Sequence, residues 1–217
     1  MLLGVAASMF GSQGYAATSV SQLARKVGLS KPGFYHHVKG KKELLYEICH
    51  FSMTHLLMGA REALELSDDP VGQISDVIKR HGSFYREHSD KLASLRQARF
   101  LAPPQRREIY GMQRDYLDVV RTILRDGQRQ KVFRAVNPTV AAFSLFAILN
   151  SPATWYDPYG GLSWDDVMDE IRGFCLHGLK VADEHVRAET NSASDKPWPR
   201  RVRTAKRSAI KNPFDLH

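Results

Sequence analysis

Residue types that bind DNA phosphates and base edges lie close together near the start of the chain. The segment from Lys31 to Lys42 contains Tyr35 and His36 between two lysines. Ammonium groups pair with phosphates, and tyrosine and histidine side chains donate hydrogen bonds to phosphate oxygens or base edges. These residues therefore predict a surface that contacts DNA.

Enzymatic chemistry finds little support in the sequence. It contains no phosphate-binding glycine loop, no Cys-x-x-Cys pair and no nucleophile elbow. Cys49 and Cys175 lack further ligands nearby, and His50 and His55 are five residues apart, a poor spacing for one helix face. We therefore expect no catalytic residue, metal site or cofactor. Two cysteines in 217 residues fit a reducing compartment, which predicts a cytoplasmic protein.

The DNA-contacting residues are predicted to lie on a pair of short helices joined by a tight turn. The first helix begins near Val20 and ends at Gly28, and Ser30 caps the second helix, residues 31–38. Apolar side chains of the first helix are expected to pack on Phe34 of the second. This arrangement is a helix-turn-helix, whose second helix enters the major groove of DNA.

Helical periodicity continues through most of the chain and predicts an all-α fold of about nine helices. No segment with strand periodicity stands out, and residues 151–161 are expected to form a loop. Ser89 is predicted to cap a separate helix, residues 91–100. Besides the helix-turn-helix, the predicted helices cover residues 3–10, 41–66, 70–87, 91–100, 103–130, 138–150 and 163–189.

Positive charge is concentrated at the two ends of the chain. The net charge is +8 at pH 7; residues 1–49 hold six lysines or arginines against two acids, and residues 190–217 hold seven against two. Basic ends around a near-neutral middle indicate a polyanionic partner. We divide the chain into a helix-turn-helix DNA-binding domain of residues 1–46, with the motif at about 19–38, a helical regulatory and dimerisation domain of residues 47–189, and a basic tail of residues 190–217, predicted to be disordered.

The helix-turn-helix segment resembles the TetR family of bacterial transcriptional regulators. The family pattern is matched by Thr18, Ser19, Val20, Leu23, Ala24, Gly28, Leu29, Ser30, Phe34, Tyr35, His37, Val38, Lys42, Glu43 and Leu45. The resemblance implies a helical bundle after the DNA-binding domain, and a ligand-responsive, sequence-specific repressor that binds a palindromic operator as a homodimer. It implies a DNA-binding set of Thr18, Ser30, Lys31, Pro32, Gly33, Tyr35, His36 and Lys42.

Within that set the resemblance gives two residues particular roles. Thr18 is expected to contact a phosphate at the start of the second helix, and Lys42 to clamp a phosphate at the start of the fourth. The chain departs from the family pattern in three ways: it begins almost inside its first helix, Pro32 precedes Gly33, and a basic tail follows residue 190. Because proline is tolerated in the first turn of a helix, we expect the recognition helix to form.

The resemblance also implies an effector pocket inside the helical body. Residues 92–124 and the later stretch from Trp155 to Val167 loosely resemble a subgroup that represses steroid and fatty-acid catabolism, some of whose members respond to coenzyme A thioesters. We therefore expect a hydrophobic small-molecule effector, with an acyl-CoA thioester as one candidate. The expected lining residues, including two arginines placed to meet an anionic group, are Phe84, Arg96, Arg99, Phe100, Tyr110, Tyr116, Phe146, Trp155 and Tyr156.

The last two predicted helices are expected, by the same resemblance, to form the homodimer surface. They cover residues 138–150 and 163–187, and both carry an apolar face that a two-fold axis would pair with itself. The longest uncharged run, residues 135–156, is interrupted by Pro138 and Pro152, so no membrane partner is expected.

Two other functions remain open on the residues alone. An architectural DNA-binding protein would use both basic ends and bind without sequence preference. A helical small-molecule enzyme or carrier would contain the helix-turn-helix only incidentally, and would show no salt-sensitive affinity for DNA.

Overall fold

The computed structural model describes residues 1–180, and the predicted all-α fold is confirmed. Nine α-helices and one 3₁₀ helix follow one another along this part of the chain. Their bounds are α1 (Leu2–Ser12), α2 (Val20–Lys26), α3 (Lys31–His37), α4 (Lys41–Glu65), α5 (Pro70–Ser94), the 3₁₀ helix (Leu95–Phe100), α6 (Pro103–Arg129), α7 (Pro138–Asn150), α8 (Pro152–Trp155) and α9 (Trp164–Leu179).

The first three helices share a small core that is joined to the body of the molecule. Phe10 of α1, Leu23 of α2 and Phe34 of α3 are fully buried. Tyr15, between α1 and α2, lies with its ring centroid 5.2 Å from those of Phe10 and Phe100. The stack on Phe100 connects the helix-turn-helix to the 3₁₀ helix of the body.

The body is built on three long helices. α4 packs against both α5 and α6, α7 packs on α6, and α9 packs on α5. The centre is aliphatic, with Ile74 and Ile78 from α5 and Ile109 and Ile123 from α6 all buried. Within residues 1–180, no helix combines the length and the apolar character needed to cross a bilayer.

The region around residue 90 differs from the prediction. The prediction of a separate helix of residues 91–100, capped by Ser89, is wrong. Helix α5 continues past Ser89, and within it only His88 (φ −141°, ψ 34°) departs from helical geometry. The chain then tightens into the 3₁₀ helix. Leu95 and Ala98 are buried, and their spacing of three places both on one face of a 3₁₀ helix. Because several residues after Ser89 remain buried, the chain stays helical at the point where the capping signal of Ser89 predicted a break.

Two predictions for the C-terminal part are also corrected. The segment of residues 151–161, predicted as a loop, contains the single helical turn α8. α9 ends at Leu179, well before residue 187, because Lys180 adopts extended backbone and forms a bridge with Phe133. The part of the predicted helix beyond residue 180 and the basic tail of residues 190–217 lie outside the described residues.

Candidate DNA-binding surface and effector body

The turn between α2 and α3 is fixed by Gly28 and Ser30. Gly28 has φ +72°, in the left-handed region that favours glycine. The Ser30 Oγ accepts a hydrogen bond from the backbone N–H of Gly33 at 3.1 Å and so caps α3. A Cβ at Gly33 would lie 3.1 Å from the same Oγ, so glycine leaves room for the cap. With Phe34 buried, α3 is anchored by one face.

The opposite face of α3 presents the predicted recognition residues. Lys31, Pro32 and His36 are exposed, and the side chain of Tyr35 is 50% exposed. The Tyr35 ring stands edge-on to the ring of buried Phe34, and this contact limits the rotation of the Tyr35 side chain. Gly33 is partly exposed, so a portion of the helix backbone also reaches the surface. The residues that a groove-binding helix needs are therefore together on one short element.

The two lysines that open α4 have different environments. The Lys41 Nζ donates hydrogen bonds to the carbonyl oxygens of Tyr15 at 2.9 Å and Thr18 at 2.8 Å. It also lies 4.3 Å from the centroid of the Tyr15 ring. Lys42 is exposed. Lys41 therefore holds the α1–α2 link against α4, whereas the Lys42 ammonium faces solvent, where a phosphate can reach it.

Thr18 occupies a different environment from the one predicted. Its side chain is 1% exposed, and its hydroxyl donates to the carbonyl oxygen of Gly14 at 2.9 Å. The same hydroxyl accepts a hydrogen bond from the amide of Gln13 at 3.0 Å. The side chain thus supports the α1–α2 link from inside, and the predicted contact with phosphate is corrected. Threonine near a helix start is an ambiguous signal, because the same hydroxyl satisfies backbone groups.

Replacing Lys42 with methionine is expected to weaken binding to all DNA sequences alike. The change removes one ammonium group and keeps the helix-forming side-chain stem. The slope of log affinity against log salt should fall in magnitude by about one unit, because one fewer phosphate is neutralised. A salt titration by fluorescence anisotropy measures this slope. Lys79→Met, an exposed lysine on α5, is the control, and an unchanged slope for Lys42→Met would remove that residue from the interface.

His36→Ala is expected to weaken specific binding, whereas the adjacent His37→Ala serves as its control. Both histidines are exposed on α3, but only His36 belongs to the predicted recognition set. A lost base contact should cost about 1–3 kcal/mol of discrimination between operator and altered sites. Competition binding with single-base operator variants measures this difference. Equal effects of the two substitutions would show that the groove-facing side of α3 is wrongly assigned.

Tyr35→Phe removes only a hydroxyl from the same surface. If that hydroxyl contacts phosphate, affinity should fall for every DNA sequence while the ranking of operator variants stays the same. The same competition assay separates this outcome from the change of ranking expected for His36→Ala. An altered ranking would instead assign Tyr35 to base contact.

The ring contacts of the effector-pocket candidates fall into separate groups. Tyr116 and Phe146 are both buried and come together, with ring centroids 4.6 Å apart. Phe84 is buried in another cluster, against Phe51 and His88. The aromatic residues of the body are thus divided between separate contacts.

The remaining candidates lie nearer the surface or the DNA-binding domain. Trp155 is 51% exposed. Arg99 is exposed, with its guanidinium 5.2 Å from the Phe100 ring centroid. The others, Arg96, Phe100, Tyr110 and Tyr156, are partly buried. That Arg96 and Arg99 jointly meet an anionic group stays a prediction.

Sequence reasoning missed a buried histidine of the body. His81 on α5 is 1% exposed, and its Nδ1 lies 3.0 Å from the hydroxyl oxygen of Tyr116 on α6. Burial lowers the pKa of His81 to about 4. A signal was present in the sequence, because His81 follows Ile74 and Ile78 at intervals of four and three on the apolar face of α5.

An apolar groove runs between α7 and α9. Its volume is about 430 Å³, and its lining includes Val140, Ile148, Phe174 and Leu179. Val140 is 62% exposed and Phe174 is 70% exposed. Large apolar side chains exposed together mark a surface suited to association.

A capped recognition helix on a three-helix domain, joined by α4 to a helical body, defines a helix-turn-helix transcriptional regulator. The family models agree with this class. "Bacterial regulatory proteins, tetR family" matches residues 2–48, and "Tetracyclin repressor-like, C-terminal domain" matches residues 67–179. The chain belongs to the TetR family, and it is a DNA-binding transcriptional regulator and not an enzyme.

Several known proteins resemble the chain over most of its length. The transcriptional repressor KstR2 of Mycolicibacterium smegmatis is 22% identical over 202 residues, covering 85% of this chain and 92% of the relative. The crystal structure of PfmR from Thermus thermophilus has a TM-score of 0.75 at 31% identity, covering 83% of this chain and 99% of that one. The structure of AibR with isovaleryl coenzyme A and operator DNA has a TM-score of 0.72 at 24% identity, with coverages of 80% and 95%, and shows a shared fold. The predicted resemblance to the steroid-catabolism subgroup is confirmed as a distant similarity to KstR2.

Proposed function

We propose that the protein is a ligand-responsive, sequence-specific transcriptional repressor that binds a palindromic operator as a homodimer. The observation that carries the proposal is α3, which is anchored by buried Phe34 and presents Lys31, Tyr35 and His36 outward. The distant similarity to the repressor KstR2 supports repression as the direction of regulation.

The proposed DNA interface combines base contacts from α3 with phosphate contacts around it. His36 reaches base edges in the groove, Tyr35 contacts a phosphate beside it, and Lys42 holds a phosphate at the start of α4, where backbone N–H groups also favour an anion. The buried Thr18 side chain is left out of this interface. The full set is Ser30, Lys31, Pro32, Gly33, Tyr35, His36 and Lys42.

The proposed homodimer forms through α7 and α9. A two-fold axis beside their groove would bring Val140 and Phe174 of one protomer against the same helices of its partner. Both side chains would then leave water, which is favourable by about 25 cal/mol per Å² of apolar surface. Two recognition helices in one dimer account for a palindromic operator, because each half-site meets the same surface.

The proposed effector is a hydrophobic small molecule, with an acyl-CoA thioester as the leading candidate. The fold is shared with AibR, whose structure contains isovaleryl coenzyme A and operator DNA. An effector that binds one spacing of the recognition helices better than another shifts the dimer toward that spacing, by no more than its difference in affinity. Release from DNA follows when the favoured spacing does not match the operator.

We retain three functional regions in this proposal. DNA binding is assigned to residues 1–46, effector binding and dimerisation to residues 47–189, and additional non-specific DNA affinity to the basic residues 190–217. Residues 41–65 form one continuous helix, so α4 crosses the first boundary and can transmit motion. A regulator of bacterial genes acts in the cytoplasm, where its DNA partner lies.

Footprinting on the DNA upstream of the protein's own gene tests the proposal. We expect one protected region with two-fold related half-sites. Random DNA should compete only weakly for the protein at physiological salt. Protection without sequence preference would instead support an architectural protein. Absence of salt-sensitive DNA affinity would favour a helical carrier with an incidental helix-turn-helix.

A further inference from the structure

His81 lies where three helices of the body meet. Its ring stacks on that of Tyr116, with centroids 6.3 Å apart and an angle of 12° between the planes. Tyr116 in turn packs on Phe146 of α7. Among the described residues, the second ring nitrogen of His81, Nε2, has no hydrogen-bond partner. A buried polar atom in this condition is energetically unfavourable unless a ligand or water satisfies it.

The tautomer of His81 follows from the contact with Tyr116. The low pKa of about 4 keeps the imidazole neutral at physiological pH, so only one ring nitrogen carries a proton. If Nδ1 carried it, the Tyr116 O–H could not donate to that nitrogen and Nε2 would also stay unpaired. If Nε2 carries it, the Tyr116 hydroxyl donates to Nδ1 across 3.0 Å and one N–H donor is left. The second arrangement leaves fewer unsatisfied groups and is favoured.

A single neutral donor among aromatic rings selects the chemistry of its partner. A carbonyl oxygen accepts an N–H hydrogen bond without bringing charge into the apolar interior. A free carboxylate would have to lose its hydration beside a histidine that stays neutral, which is strongly unfavourable. A hydrocarbon would leave the N–H unpaired.

We propose that the His81 Nε2–H donates a hydrogen bond to an uncharged carbonyl oxygen of the effector, a hydrophobic ketone or thioester in preference to the corresponding free acid. The inference rests on the proposed function as a ligand-responsive regulator and specifies the class of effector. Because His81 is 1% exposed, the effector reaches it only when α5, α6 and α7 separate. Binding therefore selects a different spacing of these helices, and α7 also borders the proposed dimer groove.

Matched probes test the carbonyl preference directly. Decanoyl-CoA carries a thioester carbonyl, and S-decyl-CoA is the thioether without it; 2-tetralone and its parent hydrocarbon tetralin form a second pair. We expect the full-length protein to bind at least one carbonyl compound about tenfold more tightly than its partner, the effect of one well-formed buried hydrogen bond, and to bind decanoate more weakly than decanoyl-CoA. Isothermal titration and thermal shift measure these affinities.

Three variants separate recognition from folding. His81→Phe should reduce the preference for the carbonyl compound to about one while the partner without a carbonyl binds as before. His81→Gln, which keeps an N–H donor at a similar reach, should retain part of the preference. Tyr116→Phe removes the hydroxyl that fixes the tautomer, so ¹⁵N spectra should change from Nε2-protonated in the parent to a mixture.

Several results would overturn the inference. They are binding of neither carbonyl compound, equal binding within both pairs, tighter binding of decanoate than of decanoyl-CoA, or a parent spectrum showing Nδ1 protonated. An effect of His81→Phe on stability alone, with the preference unchanged, would make His81 a purely structural residue. None of these outcomes affects the operator footprint, so failure of this inference is distinguishable from failure of the proposed function.

Discussion

Replacing Phe174 with aspartate is expected to leave the chain folded but monomeric, with operator affinity reduced by about 10²- to 10⁴-fold. This range is the gain that linked binding sites provide when both are engaged at once. A monomer still carries α3 and contacts one half-site. The change is measured by sedimentation velocity for the dimer and by fluorescence anisotropy for the operator.

The size of the effect follows from the position of Phe174. It is 70% exposed in one protomer, so aspartate there removes few contacts within the fold. In the proposed dimer the same position is buried on both sides of a two-fold axis. Each new carboxylate would then lose hydration in an apolar groove and meet the charge of its symmetry mate, both unfavourable changes.

An exposed leucine far from the groove provides the control. Leu66, at the end of α4, is 68% exposed, and Leu66→Asp introduces the same charge without touching α7 or α9. We expect this variant to remain dimeric and to bind the operator as the parent does. A dimeric Phe174→Asp protein with normal operator affinity would move the dimer surface away from these helices.

Local signals explain why the helix-turn-helix was predictable from sequence. The left-handed Gly28, the cap at Ser30 and the apolar Phe34 all act within a few residues of one another, and the structure places each as expected. Lys41 and Lys42 are different, because adjacent lysines look alike in a sequence. Only the contact with Tyr15, which lies 26 residues earlier, separates the internal lysine from the exposed one.

The helical body was predictable in outline but not in its polar interior. Periodicity predicted the long helices, yet it does not show which aromatic residues of different helices meet. Tyr116 and Phe146 form a pair, whereas Trp155 is largely exposed. The partner of Tyr116 is His81, 35 residues away in sequence. Such tertiary pairs depend on how α5, α6 and α7 pack, which residue type alone does not determine.

A chain of contacts joins the DNA-binding domain to the body through Tyr15. Lys41 holds the backbone and ring of Tyr15 from α4, and the ring stacks on Phe100 of the 3₁₀ helix at 5.2 Å. The interplanar angle of 25° gives the two rings a broad contact. These three residues therefore help to set the position of the helix-turn-helix relative to the body, together with the packing of α1 on α4 and α5.

Lys41→Met is expected to lower the free energy of unfolding by roughly 2–4 kcal/mol, whereas Lys42→Met should lower it by less than about 0.5 kcal/mol. Methionine keeps the apolar stem of Lys41 but removes charged hydrogen bonds to the carbonyl oxygens of Tyr15 and Thr18, together with the contact over the Tyr15 ring. Hydrogen bonds from charged donors contribute about 1.5–3 kcal/mol each, and part of this is recovered when water reaches the carbonyls. Chemical denaturation of both variants measures the difference.

The two lysine variants should also differ in how they affect DNA binding. Lys42→Met lowers the salt slope by about one unit in a protein of normal stability. Lys41→Met should leave the slope unchanged, since its ammonium is already paired inside the protein, and should lower affinity only as far as the helix-turn-helix loses its fixed position. Faster amide hydrogen exchange in α1 and α2, with α6 unaffected, would locate that loss. A Lys41→Met protein as stable as the parent but with a reduced salt slope would reverse the assignment and place Lys41 at the DNA.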